Sequence, residues 1–428
     1  MPTLLAAASE NETAAENLLE LIRAASRSPG EPVAVIAENR VVRGEASTIS
    51  LERTGQKVLA AAIGEPLPLN GYPVLVDHPA KGRWNLPANE AKLPHSLGTV
   101  FGAAIAVDPD GLLVARDRLG SRPMFSSPRR DGELFSSEAR VLRRIGCERI
   151  QTFPAGAARF AGKKRIEPIP APRPASFPGT GKAVELLGKC LSSTIGTVPA
   201  PRAVFFSGGV DSLILAKISE QDADTVLVVA GVKGCKDFER AEAAARHLGS
   251  PLEKVEIDPA GLEAEVERLI SDTGATDPLR LSISLPLLYA ARRASDEGVR
   301  FALCGQGADE LFGGYMKYLR SPRPAEHMYR DLLQIGDAGL VHCDLAARSQ
   351  GIQMYFPFLE ERVVTLALGT PLEQKISNTS RKVILRRLAT SLGINKGLAE
   401  TRKCAMQYGS GVSKHVLRIV RRMRNEGR

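Results

Sequence analysis

Residues 202–212, Arg-Ala-Val-Phe-Phe-Ser-Gly-Gly-Val-Asp-Ser, constrain the fold of this chain more than any other stretch. The apolar run 203–206 reads as a buried parallel strand, and residues 213–218 behind it read as the first turns of a helix. Gly208 and Gly209 let the backbone turn sharply and bring bare N–H groups close to an anion. The N-terminus of the following helix adds partial positive charge, so the turn suits a phosphate. Ser207 and Ser212 supply hydroxyls. Asp211 would repel a phosphate unless a cation stood between them, and Mg2+ takes carboxylate and phosphate oxygens together. No Gly-Lys-Ser/Thr follows, so the loop is not of the Walker type.

Downstream, strands and helices alternate. Residues 225–231, 252–257 and 299–304 read as strands, and 238–248, 262–271 and 285–294 as helices. In the first of these helices Ala241, Ala243, Ala244 and Leu248 are expected to face the sheet. This alternation implies a doubly wound parallel sheet, with ligands at the carboxyl ends of its strands. The last strand runs into a second glycine-rich string, Gly305-Gln306-Gly307-Ala308-Asp309-Glu310-Leu311-Phe312-Gly313-Gly314-Tyr315. By themselves Asp309 and Glu310 are equally well explained as acids favoured by a helix N-terminus. Beside the first loop, Asp211 and Asp309 form a carboxylate pair able to hold Mg2+ against a triphosphate.

Upstream the pattern is different. Residues 12–26 place Leu18, Leu19, Ile22 and Ala25 on one helical stripe. Residues 32–43 and 101–116 read as hairpins, the second turning at Asp108-Pro109-Asp110-Gly111, and 133–136 and 157–160 as further strands. Residues 163–181 hold Pro168, Pro170, Pro172, Pro174 and Pro178, a stiff linker, and a helix is expected over 182–195. The six cysteines are scattered without a Cys-x-x-Cys, so neither zinc nor a redox pair is indicated. The net charge of +9 fits polyanionic ligands such as ATP and pyrophosphate. With one Trp, base-stacking platforms are not evident, and nucleic acid is not the expected partner. No apolar run is long enough to span a bilayer and the start lacks a signal peptide's basic residues, so the cytoplasm is the expected location.

Ser-Gly-Gly-Val-Asp-Ser resembles the pyrophosphate-binding loop of ATP pyrophosphatases that form adenylates, and residues 305–315 resemble a segment of the asparagine synthetases. The similarity extends through 232–237, His247-Leu248-Gly249, Pro357-Phe358-Leu359-Glu360, Arg381-Lys382-Val383-Ile384-Leu385-Arg386 and Thr401-Arg402-Lys403. Residues 116–125, 134–138 and 153–156 occur in the order found in the N-terminal domain of that family. From about residue 101 to 403 the chain resembles the asparagine synthetase / β-lactam synthetase family. The resemblance implies a glutaminase-like, β-rich domain of the N-terminal-nucleophile type over 1–162, a linker over 163–181, and an ATP pyrophosphatase-type α/β synthetase domain with a helical C-terminal part over 182–428. It implies ATP and Mg2+ as cofactors. Phe206, Ala230, Cys304 and Gly305 would line the adenosine pocket, and Ser207, Gly208, Gly209, Asp211 and Ser212 would hold pyrophosphate. Asp211 and Asp309 would be the metal ligands, and Lys403, Glu310 and Gln306 the catalytic candidates, with Lys403 steadying charge on the adenylate.

The chain also departs from that family. A glutaminase of this type needs a cysteine at the position of Pro2, and Cys147 falls well inside the domain, so the domain is expected to keep the fold without the chemistry. Nitrogen would then come from solution, from a separate glutaminase partner or from the substrate. Gln306 stands where the family carries Glu, and a neutral amide cannot act as a general base. In the segment Asp277-Pro278-Leu279-Arg280-Leu281-Ser282-Ile283-Ser284-Leu285-Pro286, Ser282 fills the usual arginine position, leaving Arg280 as a carboxylate clamp. The expected activity is an ATP-dependent, AMP-forming amide ligase acting on a small carboxylate, aspartate by default, and ammonia or an amine. The alternatives are an intramolecular amide former of the β-lactam synthetase or cyclase kind, an RNA-modifying adenylating enzyme using the basic tail 414–428, and a non-catalytic nucleotide binder. Oligomeric state is not legible.

Overall fold

The computed structural model describes residues 3–9, 18, 20–21, 32–37, 40–45, 58–63, 67–68, 74–77, 103–108, 111–130, 132–160, 166–220, 224–377, 380–401 and 409–426. The chain divides into two compact units, Met1–Ala171 and Pro172–Arg428.

Among the described residues, the first unit contains thirteen strands in two antiparallel sheets. They are β1 (Thr3–Ser9), β2 (Pro32–Ala37), β3 (Arg40–Glu45), β4 (Val58–Ile63), β5 (Leu67–Pro68), β6 (Val74–Asp77), β7 (Ala103–Asp108), β8 (Gly111–Arg116), β9 (Phe125–Arg129), β10 (Gly132–Ser136), β11 (Gln151–Thr152), β12 (Ala157–Phe160) and β13 (Glu167–Pro168), with one helix, α1 (Ala139–Arg144). One sheet has the order β11-β9-β10-β1-β4-β2-β3 and the other β13-β12-β8-β7-β6-β5. Both expected hairpins form: β2 pairs antiparallel with β3 from Ala37↔Arg40 onward, and β7 with β8 from Asp108↔Gly111 onward. β1 and β4 were not legible, because Leu- and Ala-rich runs favour helix on propensity and become strands here through pairing with each other and with β10. In the expected helix over 12–26, residues 18, 20 and 21 are helical; the rest lies outside the described residues.

The loop after β8 is pinned by buried charge. The Arg116 guanidinium donates to the carbonyls of Gly120, Arg122 and Phe153 at 2.9, 2.7 and 2.9 Å. Asp117 accepts from the backbone N–H and hydroxyl of Ser121 at 2.9 and 2.5 Å. Arg116 is fully buried, and these bonds satisfy groups that would otherwise be stranded there.

In the second unit α2 (Thr180–Gly196) leads to β14 (Arg202–Phe205) and α3 (Val210–Ser219). There follow β15 (Thr225–Gly231), α4 (Lys236–Leu248), β16 (Leu252–Glu256), α5 (Leu262–Thr273), α6 (Pro278–Asp296), β17 (Phe301–Leu303), α7 (Ala308–Phe312), α8 (Met316–Leu319) and α9 (Pro324–Leu333). A kinked turn at Gly336–Leu340, broken at Gly339 (φ 175°, ψ −25°), runs into α10 (Val341–Ser349), then come β18 (Gln353–Tyr355), α11 (Glu361–Gly369), α12 (Val383–Ser391), α13 (Lys396–Ala399) and α14 (Ser413–Asn425). The five strands are all parallel in the order β16-β15-β14-β17-β18. The chain leaves β14 toward β15 and β16, then returns to add β17 and β18 on the other side. The topological switch point therefore lies between β14 and β17, where a crevice opens beyond the strand ends. All of β14 is buried, as a central strand covered by helices on both faces requires.

Two expectations need correction. The buried face of α4 is Phe238, Ala241, Ala244 and Ala245 with Asp237, while Ala243 is exposed and Leu248 only half-buried. A face shifted by one residue is what a mostly Ala helix permits, because its small side chains barely distinguish neighbouring stripes. Second, α6 starts at Pro278 rather than at residue 285: Asp277 caps it by accepting from the Arg280 N–H at 3.2 Å, and Pro278 occupies the first turn. The internal Pro286 hid the continuation.

The basic tail forms α14. Val416, Ile419, Val420 and Met423 are buried on its apolar stripe against α5 and α6, and Lys414, Arg418, Arg421 and Arg422 are exposed.

Candidate active site

Both glycine-rich loops leave neighbouring strands at the switch point. Phe206 closes the first strand by donating its N–H to the Val228 carbonyl at 2.7 Å. Gly208 then takes φ +68°, and a Cβ there would stand 2.7 Å from the backbone of Arg240 on α4. Only glycine fits that turn. Helix α3 starts at Val210, so Asp211 and Ser212 lie in its first turn, and the Ser212 hydroxyl donates to the Gly209 carbonyl at 3.1 Å. In the second loop Gly307 (φ +92°) caps α7, a five-residue helix with Asp309 and Glu310 in its first turn.

The two carboxylates meet, and a lysine meets them. Lys382 Nζ lies 2.5 Å from Asp211 Oδ2 and 2.6 Å from Asp309 Oδ1. Lys382 and Asp211 are each 3% exposed, so these charges interact with little solvent screening. Lys382 sits at φ +59°, the one described non-glycine residue in the left-handed region. Its neighbours hold it there: Ile376 bridges to Arg381, Arg381 donates to the Gly314 carbonyl, and the Val383 N–H reaches the Lys375 carbonyl at 3.0 Å. A Cβ on Gly314 would fall 1.7 Å from Asp309 Oδ1 and 2.4 Å from Lys382 Cε. The cluster thus draws on three separate segments of the chain.

A cavity of about 430 Å³ opens over it, bordered by Ser207, Asp211 and Ser212 of the first loop and by Cys304, Gly305, Gln306, Gly307, Asp309 and Glu310 of the second. Tyr315 donates to Glu310 Oε1 at 2.8 Å, and burial beside Glu310 and Asp309 pushes its phenol well above the ordinary tyrosine range. Gln306 donates from Nε2 to Cys343 Sγ at 3.3 Å, while its Oε1 is buried without a hydrogen-bond partner among the described residues. Burial raises the Cys343 thiol to about 11, so it is a neutral neighbour.

Several expected residues stand elsewhere. Phe206 and Ala230 are buried and are not among the residues lining this cavity. Gly208 and Gly209 are not among the residues lining it either. Arg280, expected as a clamp, also does not line it: its guanidinium lies 3.3 Å from His342 Nε2, and the Ser282 hydroxyl donates to the Pro278 carbonyl of its own helix. An i, i−4 bond of that kind is available to any serine inside a helix, and residue 282 proves to be inside one. Lys403 lies outside the described residues. Lys382 is the functional candidate that residue-by-residue reasoning missed. Its only trace was the match at residues 381–386, since a left-handed lysine on a turn between a bridge and a helix has no sequence pattern of its own.

The two carboxylates suit the implied metal. They already converge on one cationic nitrogen, so the position demands positive charge, and carboxylate with phosphate oxygen is the donor set Mg2+ prefers.

Fold and site together define an α/β unit with a parallel sheet and two glycine-rich loops that face one crevice at its switch point. The asparagine synthase family profile matches residues 196–326 and 320–427, more than half of the chain. The chain belongs to that family. A putative glutamine-hydrolysing asparagine synthetase of Methanocaldococcus jannaschii is 26% identical over 376 residues, covering 72% of this chain and 68% of that protein. Asparagine synthetase B of Escherichia coli is 24% identical over 307 residues, 65% of this chain and 55% of that one. An asparagine synthetase of Oryza sativa is 27% identical over 286 residues, 62% and 48% respectively. The chain thus spans about half the length of the last two relatives. Among solved structures, NMN synthetase from Francisella tularensis aligns with TM-score 0.33 and 13% identity over 58% of this chain and 94% of that one, too distant to bear on the site.

Proposed function

We propose that the second unit is an ATP-dependent ligase that adenylates a carboxylate, releases pyrophosphate and passes the acyl group to ammonia or an amine. The observation that carries this reading is the convergence of Lys382 with Asp211 and Asp309 beside the Ser207–Gly208–Gly209 turn, where the chain folds an anion loop against two carboxylates and a buried cation.

In the first half-reaction a carboxylate oxygen of the substrate attacks the α-phosphorus, and the bond to the bridging oxygen of the β-phosphate breaks. The backbone N–H groups at the start of α3 and the Ser207 and Ser212 hydroxyls receive the departing pyrophosphate. Mg2+, held by Asp211 and Asp309, would neutralise charge on that leaving group. Lys382 is the protein's own cation at the same point, and it keeps the carboxylate pair from repelling the nucleotide. In the second half-reaction an amine nitrogen attacks the acyl carbon, AMP leaves, and the nitrogen gives up a proton. Glu310 is the carboxylate in the cavity able to take it, and the buried Gln306 Oε1 can accept a hydrogen bond that orients the incoming N–H. Lys403 keeps the role of steadying the adenylate, and Cys304 and Gly305, which line the cavity, that of contacting adenosine.

The test is pyrophosphate release from Mg-ATP across a panel of carboxylates, with and without ammonium. Carboxylate-dependent release that Asp211→Asn abolishes is expected. No stimulation by any carboxylate would overturn the reading.

A further inference from the structure

The far wall of the cavity is apolar. Leu279 and Ile283, one turn apart on α6, face it together with Ile335, Ala338 and Leu340 from the kinked segment between α9 and α10. Leu279 is 50% exposed although it is a large aliphatic residue, so this wall offers apolar surface that the fold itself leaves uncovered.

The charged side chains lining the same cavity are Asp211, Asp309, Glu310 and Asp331 with Lys317. Lys317 is engaged: its Nζ lies 2.5 Å from Asp331 Oδ2 and over the rings of Tyr315 and Tyr318 at 5.3 and 5.5 Å. Asp331 also accepts from the Tyr318 hydroxyl at 2.6 Å. Arg280 is turned to His342. Aspartate would bring a second carboxylate besides the one activated. That charge would enter among four acids, and among the described residues the nearest cations are already engaged, Lys382 with Asp211 and Asp309, Lys317 with Asp331 and Arg280 with His342. A single carboxylate on an apolar body has no such conflict, and it would bury hydrocarbon against Leu279 and Ile283.

We propose that the acid activated at this site is a monocarboxylate with an apolar aliphatic or aromatic body, and that Leu279, Ile283, Ile335 and Leu340 select it over aspartate. The inference rests on the adenylation reading above. An α-amino group on such an acid is compatible, since Glu310 lines the cavity.

The test is ATP–pyrophosphate exchange by the full chain with Mg-ATP and labelled pyrophosphate. The acids are aspartate, glutamate, leucine, phenylalanine, hexanoate and phenylacetate. At least one apolar acid should exceed both dicarboxylates by about tenfold or more, the scale on which a hydrophobic pocket discriminates. Leu279→Arg, at a half-exposed position where folding is not at risk, should lower exchange with that acid by a similar factor and raise exchange with aspartate. Aspartate or glutamate as the best substrate overturns the proposal. If no acid supports exchange, the adenylation reading fails instead, and saturation-transfer NMR with the same acids decides the pocket separately. Binding of an apolar acid that Leu279→Arg abolishes then upholds the selectivity, whereas preferred binding of aspartate, or of none, overturns it.

Discussion

Two clusters of buried charge, one in each unit, show how differently ionised groups can be put to use. In the first unit Arg116 and Asp117 are fully buried, and their bonds run to backbone groups and a serine of the loop after β8 and to the Phe153 carbonyl of a second segment. In the second, Asp211, Asp309 and Lys382 come from segments far apart in sequence and bond chiefly to one another, at the edge of a cavity. A charge whose bonds run to backbone groups and a serine fixes the loops that carry them. Charges drawn together across a crevice cost stability unless a ligand rewards them, so they mark chemistry.

The largest effect expected from this contrast is in the second cluster. Lys382→Met should lower pyrophosphate release by about 10²–10³-fold, the loss typical of one charge-stabilising group, and Lys382→Arg should not restore it at so confined a site. A fall of less than about threefold would make the lysine structural, like Arg116.

Arg116→Met should do the opposite. It leaves three carbonyls without their donor and should lower the unfolding free energy by about 3 kcal/mol, read by denaturant titration, at about 1 kcal/mol or more for each stranded group. Exchange per folded molecule should stay within about twofold. A selective loss of activity would break the comparison.

A third buried charge falls between the two classes. Lys375 is 8% exposed in a second, largely apolar cavity with Met328, Tyr329 and Leu332, and burial lowers its ammonium to about 8. The unfolded chain holds that proton up to the ordinary lysine range. Between about pH 8 and 10.5 the unfolded state therefore binds more protons. Stability should rise with pH across that window by at most about 1.4 kcal/mol per pH unit, with the full penalty present below pH 8. Lys375→Met should abolish the slope and stabilise the protein at neutral pH. An unchanged slope would show that the lysine is solvated.

The smallest effect concerns Tyr315. Tyr315→Phe removes one hydrogen bond to Glu310, worth about 1 kcal/mol, and should slow amide formation by about fivefold while leaving pyrophosphate exchange intact. Equal loss in both would place Glu310 in the first half-reaction.

Four of the five parallel strands were legible, β14, β15 and β17 because they are short apolar runs with glycines at or just beyond their ends, and the same glycines announced the site, whereas the three-residue β18 carries too short a pattern to read. Asp211 and Asp309 could be paired before any coordinates existed, since adjacent strand ends in such a sheet face one crevice. The lysine between them could not, because its position depends on a left-handed turn held by the Ile376–Arg381 bridge. Arg280 misled for a related reason: Pro286 hid that residues 278–284 are helical, and helical geometry sends that guanidinium to His342. In the first unit Ala-rich strands such as β4 are made by their neighbours rather than by their own preference.

The central claim is attack of a carboxylate on the α-phosphorus, and oxygen transfer tests it most directly. The acid that best supports exchange, labelled with ¹⁸O in its carboxyl group, should deliver one ¹⁸O to the phosphate of AMP as the amide forms. Label appearing in inorganic phosphate alongside ADP, or AMP formed without label, would contradict the account.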